Sequence, residues 1–328
     1  MFRYSTRICL ALVVALASPA LATEKPVSAP KAEITVAKKT VKKTVKKTVK
    51  RRRSKRSSKR QKWPVRRPKN AKNNIPEMGA APFVPGERLL YDVKMLGAHA
   101  GQAILATGAP TTYAGRKVQP VVGFIRSGEF LNKFYPVENR MVVLLDAETY
   151  RPMKSDFYIN ENGKKLNYHT TYHEGKRLLR SVRRKNGRDL KRNFTPVAAL
   201  YDPMGSVYAA RRMKLTPGDE FSYFLWDGRK ERHVTIKVVA MERVWTQLGW
   251  VEATRIDLET RISGGFIKKT SLDAPPKRGT VWLANDEFRT PVKMLSPTKL
   301  GQAEAVLVRR YHEDPSIAPT LSGNTPTK

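Results

Sequence analysis

Cysteine is nearly absent: Cys9 is the only one in 328 residues. It lies in an apolar N-terminal stretch without the small residues that precede a lipid-modified cysteine. A mature chain cut after that stretch would hold no thiol, which excludes disulfides, thiol nucleophiles and cysteine metal sites. Such a chain must stand on its hydrophobic core. Acid is scarce too, with 28 Asp and Glu against 63 Lys and Arg. The apolar run Ile8 to Ala22 falls short of the roughly 20 residues a spanning helix needs, and Pro19 interrupts it. No Gly-rich loop cradles a phosphate, and Ser206 beside Asp202 lacks a nucleophile elbow and a placed histidine, so no hydrolase triad is supported.

What is present begins with an export pattern. Arg3 and Arg7 precede the run Ile8 to Leu16, and Ala20, Leu21 and Ala22 form a small-x-small site, so residues 1–22 read as a secretory signal cleaved after Ala22. The expected location is the periplasm or cell envelope. Residues 23–37 are neutral, and Lys38 to Lys72 then carry 19 Lys or Arg and no acid. The tract repeats KKTV three times through Lys38, Lys39, Lys42, Lys43, Lys46 and Lys47. It continues through Lys50, Arg51, Arg52, Arg53, Lys55, Arg56, Lys59 and Arg60. Low hydrophobicity with dense charge of one sign cannot offset ordering entropy, so residues 23–81 are expected to be a disordered linker.

Of the formal +35, Arg3 and Arg7 carry 2 and the tract 19, which leaves +14 on residues 73–328. Such a chain is drawn to polyanions in a salt-dependent way. Outside the cytoplasm, anionic envelope polymers and lipid headgroups are the abundant ones, and nucleic acid becomes the runner-up.

From Pro82 the chain shows short alternating apolar runs parted by turn residues, the pattern of a β protein. Leu89, Tyr91, Val93 and Met95 alternate; Asn162-Gly163, Asn186-Gly187 and Asp227-Gly228 mark tight hairpins. One interruption reads as a short helix, with Asp202 as N-cap, Pro203 at the first position, and Met204, Val207, Tyr208 and Arg211 on one face. The expected fold is mainly β: a curved antiparallel sheet, a roll or partly open barrel, over residues 82–314, with frayed residues 315–328.

GERLLYDV, the Asp202 to Arg211 segment, Asp227-Gly228 and above all WLANDEFRTPVKM resemble the exported bacterial family of unknown function DUF3108, over about residues 82–312. Glu87, Tyr91, Asp202, Tyr208, Arg211, Trp282, Asp286, Arg289 and Pro291 match its pattern, whereas Gly205 stands where the family usually has serine. The resemblance implies an exported antiparallel β domain and brings no activity, hence no catalytic residues and no cofactor.

Two constellations invite chemistry. His169 and His173 would share a metal on a helix, but a strand sets them roughly 13 Å apart, so no metal site is expected. Asp286 and Glu287 could do acid and base work. A structural reading is preferred, in which Asp286 caps a turn and Arg289 pairs with a nearby carboxylate. Phe221, Tyr223, Phe224, Trp226, Trp245 and Trp250 could line a cavity, though strand aromatics are usually core. The reading reached is a non-enzymatic envelope-associated binding or structural protein tethered by its basic tail. The alternatives are a carrier of a lipid or other apolar ligand in the curved sheet, and a nucleic-acid binder acting through the tail.

Overall fold

A computed structural model describes residues 63–66, 75–79, 83–185, 187–298 and 301–317. The signal segment, its cleavage site and every basic residue from Lys38 to Arg60 lie outside them. Among the described residues the strands are β1 (Glu87–Met95), β2 (Ala98–Thr107), β3 (Thr111–Tyr113), β4 (Arg116–Ser127), β5 (Val137–Asp146), β6 (Pro152–Glu161), β7 (Lys164–His173) and β8 (Leu178–Lys185). There follow β9 (Arg188–Phe194), β10 (Leu200–Tyr201), β11 (Glu220–Trp226), β12 (Lys230–Thr246), β13 (Gly249–Gly265), β14 (Lys277–Ala284), β15 (Pro291–Thr298) and β16 (Gly301–His312). Two short helices interrupt them, α1 (Glu129–Asn132) and α2 (Pro203–Ala210).

All the strands join one sheet in the order β10-β11-β12-β13-β14-β15-β16-β1-β2-β4-β5-β6-β7-β8-β9, with β3 beside β4. Among the described residues only the β10–β11 pair is parallel. Alternation sets the faces: in β5, Val137, Asn139, Met141, Val143 and Leu145 are buried while Glu138 and Arg140 are exposed. The turns follow their residues. Asn162 and Gly163 both take positive φ, 49° and 74°, the conformation a two-residue hairpin needs.

The sheet is open, ending in β9 and β10. Those ends meet through side chains instead. Phe194 on β9 stacks on Trp226 of β11 with ring centroids 5.2 Å apart, and Leu179, Leu200, Phe224 and Phe266 complete the cluster. The Val197 N–H donates to Glu231 across the same seam at 2.7 Å.

The linker expectation is corrected at its end. Trp63 packs edge-on against Phe266 at 5.0 Å, and Val65 bridges Gly264. Arg66 binds Asp273 at 2.6 Å. Ile75 and Met78 pack on the main core. An indole and a few aliphatic side chains suffice to hold these segments despite the charge around them. The frayed tail is corrected at its start, because Arg88 donates to the Ile317 carbonyl at 2.7 Å and the Ala109 N–H to Pro315 at 3.1 Å.

Helix α2 forms where Asp-Pro predicts it. The Asp202 carboxylate accepts the Gly205 N–H at 2.6 Å. The helix lies against the inner face of the sheet, touching β4, β5, β10 and β11. Met204, Tyr208 and Ala209 are buried there. Gly123 on β4 makes room: a Cβ at that position would sit 2.9 Å from the Met204 sulfur.

Candidate cleft beneath helix α2

Helix α2 covers only part of the inner face. Between its Val207–Ala210 side and strands β11 to β15 runs a cleft walled by Tyr223, Ile236, Ile256, Leu258, Leu283 and Met294. Its empty space, mouth included, is about 780 Å³, yet the part that the centre of a water molecule can reach is about 70 Å³. It is a slot. Gly279 lets its walls approach closely, since a Cβ there would stand 3.1 Å from the Leu295 carbonyl oxygen and 3.3 Å from Leu258.

One end of the slot is polar. Thr260 and Lys277 face each other across β13 and β14, and both line it. The buried Thr260 hydroxyl has no hydrogen-bond partner. Beyond Lys277 lies Glu161 on β6, whose carboxyl is pushed up by burial, with the Asn139 hydrogen bond and the Lys277 charge opposing. Lys230 is pushed down to about 8 by burial, with Asp227 opposing. The Asp227-Gly228 turn that carries this lysine reaches across the inner face. There Gly228, at φ 87°, leaves no more than 3.2 Å between a Cβ and either Phe157 or Tyr168. Asp227 accepts the Arg229 and Lys230 N–H groups at 3.1 and 2.7 Å and pairs with Arg232 at 2.8 Å.

At the opposite end α2 is anchored by residues from the family pattern. Arg211 grips the Glu87 carboxylate with two hydrogen bonds of 2.6 and 2.9 Å, and Arg310 adds a third at 3.1 Å. The Arg211 Nε donates to the Phe288 carbonyl at 2.9 Å, and its guanidinium lies 5.3 Å from the Tyr208 ring centroid. The Tyr91 hydroxyl donates to the Pro291 carbonyl at 2.8 Å. Asp286 accepts the Thr290 N–H at 3.2 Å. Arg289 does not pair with a carboxylate as expected. At φ 48° it turns to donate to the Met213 carbonyl at 2.7 Å, tying the β14–β15 turn to the chain just after α2. Trp282 stands apart from this group, its indole N–H on Glu242 at 2.6 Å.

Asp202, at the start of α2, has one oxygen on the helix and the other unpartnered. Burial raises its pKa to about 7, against the Gly205 N–H. Ser206 donates to the Pro203 carbonyl at 2.9 Å, so this serine is tied to its own helix. His169 bonds Asp156 at 2.7 Å, and among the described residues no group of His, Cys, Asp and Glu is placed to hold a metal. The arrangement is suited to holding a ligand.

Of the aromatics, Phe221, Phe224 and Trp226 are core and Tyr223 lines the slot, but Trp245 and Trp250 are 58% and 60% exposed. The core expectation is corrected for these two. Sequence reasoning missed Thr260, Lys277 and the Asp227–Arg232 pair. One signal was available: Gly279 sits inside a strand, where a missing side chain often marks close approach.

A family model described as "Protein of unknown function (DUF3108)" matches residues 90–308. No curated protein matches the sequence. Among solved structures, a β-barrel-like protein of domain of unknown function DUF1849 from Brucella abortus is 12% identical with a TM-score of 0.43, over 70% of this chain and 98% of that one. A Bacteroides fragilis protein described as exported, with a YmcC-like fold, is 11% identical with a TM-score of 0.30, over 72% and 99%. A Parabacteroides distasonis protein described as a lipoprotein is 12% identical with a TM-score of 0.29, over 71% and 99%.

Proposed function

The chain belongs to the family of proteins of unknown function DUF3108, and since that family brings no activity with it, we propose from the site itself a non-enzymatic envelope protein that carries an apolar ligand beneath α2. The observation that carries this reading is the slot, aliphatic along its walls and polar at one end, where an unpartnered hydroxyl stands beside a lysine. Ligand sites are mostly apolar with a few placed polar groups, and the 70 Å³ that a water centre can reach lies below the roughly 300–1,000 Å³ of a drug-sized site, which restricts the slot to a thin chain. A narrow apolar slot ending at Thr260 and Lys277 suits a single acyl or alkyl chain with an acidic head. The test is organic extraction of the full chain, exported with its own N-terminus, followed by mass spectrometry. An amphiphile bearing an acidic head, recovered at about one per chain, is the expected result; extracts matching a blank purification would overturn the reading.

The tract from Lys38 to Lys72 favours a second, compatible role, attachment of the domain to an anionic envelope surface. Nineteen cations without an acid would bind such a surface and release it as salt rises. Co-sedimentation with wall sacculi, anionic vesicles and DNA over a salt series tests it. The expected outcome is salt-sensitive binding to an envelope component that weakens strongly when residues 23–62 are deleted. A clear preference for DNA would favour the nucleic-acid alternative instead.

A further inference from the structure

The longest hairpin of the sheet outruns its neighbours. Strand β11 pairs with β12 only as far as Lys237, and β14 with β13 only as far as Ala253. From Ala240 to Val251 the two strands pair with no strand but each other. This overhanging arm has two unlike faces. Val244 is buried on one, whereas Met241, Trp245 and Trp250 share the other at 60%, 58% and 60% exposure. Leu248, in the turn between the strands, is 53% exposed. Trp245 and Trp250 are directly opposite, with rings 5.5 Å apart. Arg243 lies 5.6 Å from the Trp250 ring centroid and pairs with Glu252 at 3.2 Å.

Four large apolar side chains within ten positions, all turned to solvent, need a partner. We propose that this hairpin tip is a membrane-docking element, which seats Trp245, Leu248 and Trp250 at the headgroup–acyl boundary of an anionic lipid bilayer. Indoles favour that boundary because one edge is apolar and the other donates a hydrogen bond. Arg243 can keep its guanidinium at headgroup level while its stem lies along the indole. A tip of two indoles and a leucine is too slender for the roughly 800 Å² that each side of a stable protein interface buries. A wall polymer or nucleic acid would offer Leu248 and Met241 no apolar medium. The lipid must be anionic, because the domain that bears the arm carries +14 over residues 73–328, behind a tract of 19 further cations. This inference is independent of the cleft, whose lining residues lie elsewhere on the sheet.

The test uses the full chain and anionic vesicles whose acyl chains are brominated, with indole fluorescence as the readout. Trp226 and Trp282 are buried, and the half-buried Trp63 is replaced by phenylalanine in every protein compared, so contact quenching by lipid bromine reports mainly on the arm. The decisive variant is L248D, which keeps both reporters, and W245S/W250S removes them. Both change exposed positions, and thermal melts confirm that each stays folded. Wild type is expected to be quenched, L248D about fivefold less or better, and W245S/W250S close to background. If wild type sediments with the vesicles without quenching, or L248D is quenched as strongly as wild type, the tip does not enter the bilayer and the proposal fails.

Discussion

Glu87 holds two guanidinium groups, with its own side chain 1%, that of Arg211 6% and that of Arg310 20% exposed. A buried ion pair is often no more stabilising than an apolar pair of the same shape, because desolvation offsets the attraction, but breaking it strands a charge, at a cost of roughly 3–5 kcal/mol. Urea melts of R211M and E87Q should therefore show losses of that order. Tyr91→Phe, which removes only the hydrogen bond to Pro291, should lose about 1 kcal/mol. Asp202 offers a pH test with a definite sign. Its folded pKa of about 7 lies above its ordinary value of 3.8. Between those limits the folded state binds the extra proton, so this residue makes stability fall as pH rises from about 4 to 7, by up to about 1.4 kcal/mol per pKa unit. D202N keeps the oxygen that caps Gly205 and loses the titration. Melting temperatures across that range should fall less in D202N than in wild type. At this scale the sequence was half legible. Asp-Pro announced the cap, but no spacing could announce a bond between residues 124 apart, Glu87 and Arg211.

At the scale of elements, α2 matters because it is both buried and incomplete as a cover. One side packs through Met204 and Tyr208, and the Val207 side leaves the slot. The alternating runs made the strands legible, and Asn-Gly and Asp-Gly placed the hairpins. Strand length was less so. Strand β14 begins at Lys277, well ahead of its apolar Val281-Trp282-Leu283 run, which brings Lys277 and Gly279 to the slot. Trp245 and Trp250 read as core because strand aromatics usually are. They are exposed because β12 and β13 run past the ends of β11 and β14, a mismatch of partner lengths that no local pattern contains.

At the scale of the whole molecule, an open sheet must protect two edges. Strand β10 is only two residues long, and β9 carries Arg188, Lys191 and Arg192, so both ends discourage pairing with another chain. The aromatic seam holds those ends together, with Arg192 4.9 Å from the Trp63 ring centroid. Trp63 thus belongs to the seam as well as to the basic tract. Trp63→Ala should lower the melting temperature and leave Lys38 to Arg60 untouched, so that vesicle or wall binding by the tract persists at low salt. Composition made the tract legible, but the docking of Trp63, Val65 and Arg66 depended on partners that exist only once β13, β9 and the chain after β13 are assembled.

The central claim is that the slot beneath α2 holds an acyl chain, and titration of an environment-sensitive fluorescent fatty acid into the full chain and into V207W tests it most directly. Val207 lines the slot from the helix side and is only partly buried, so a tryptophan there should fill the slot at a folding cost of about 1–3 kcal/mol. Saturable binding of about one probe per wild-type chain, weakened at least about tenfold in a folded V207W, is the predicted result. Equal binding by the two proteins, or none by a wild-type chain stripped of ligand, would contradict it.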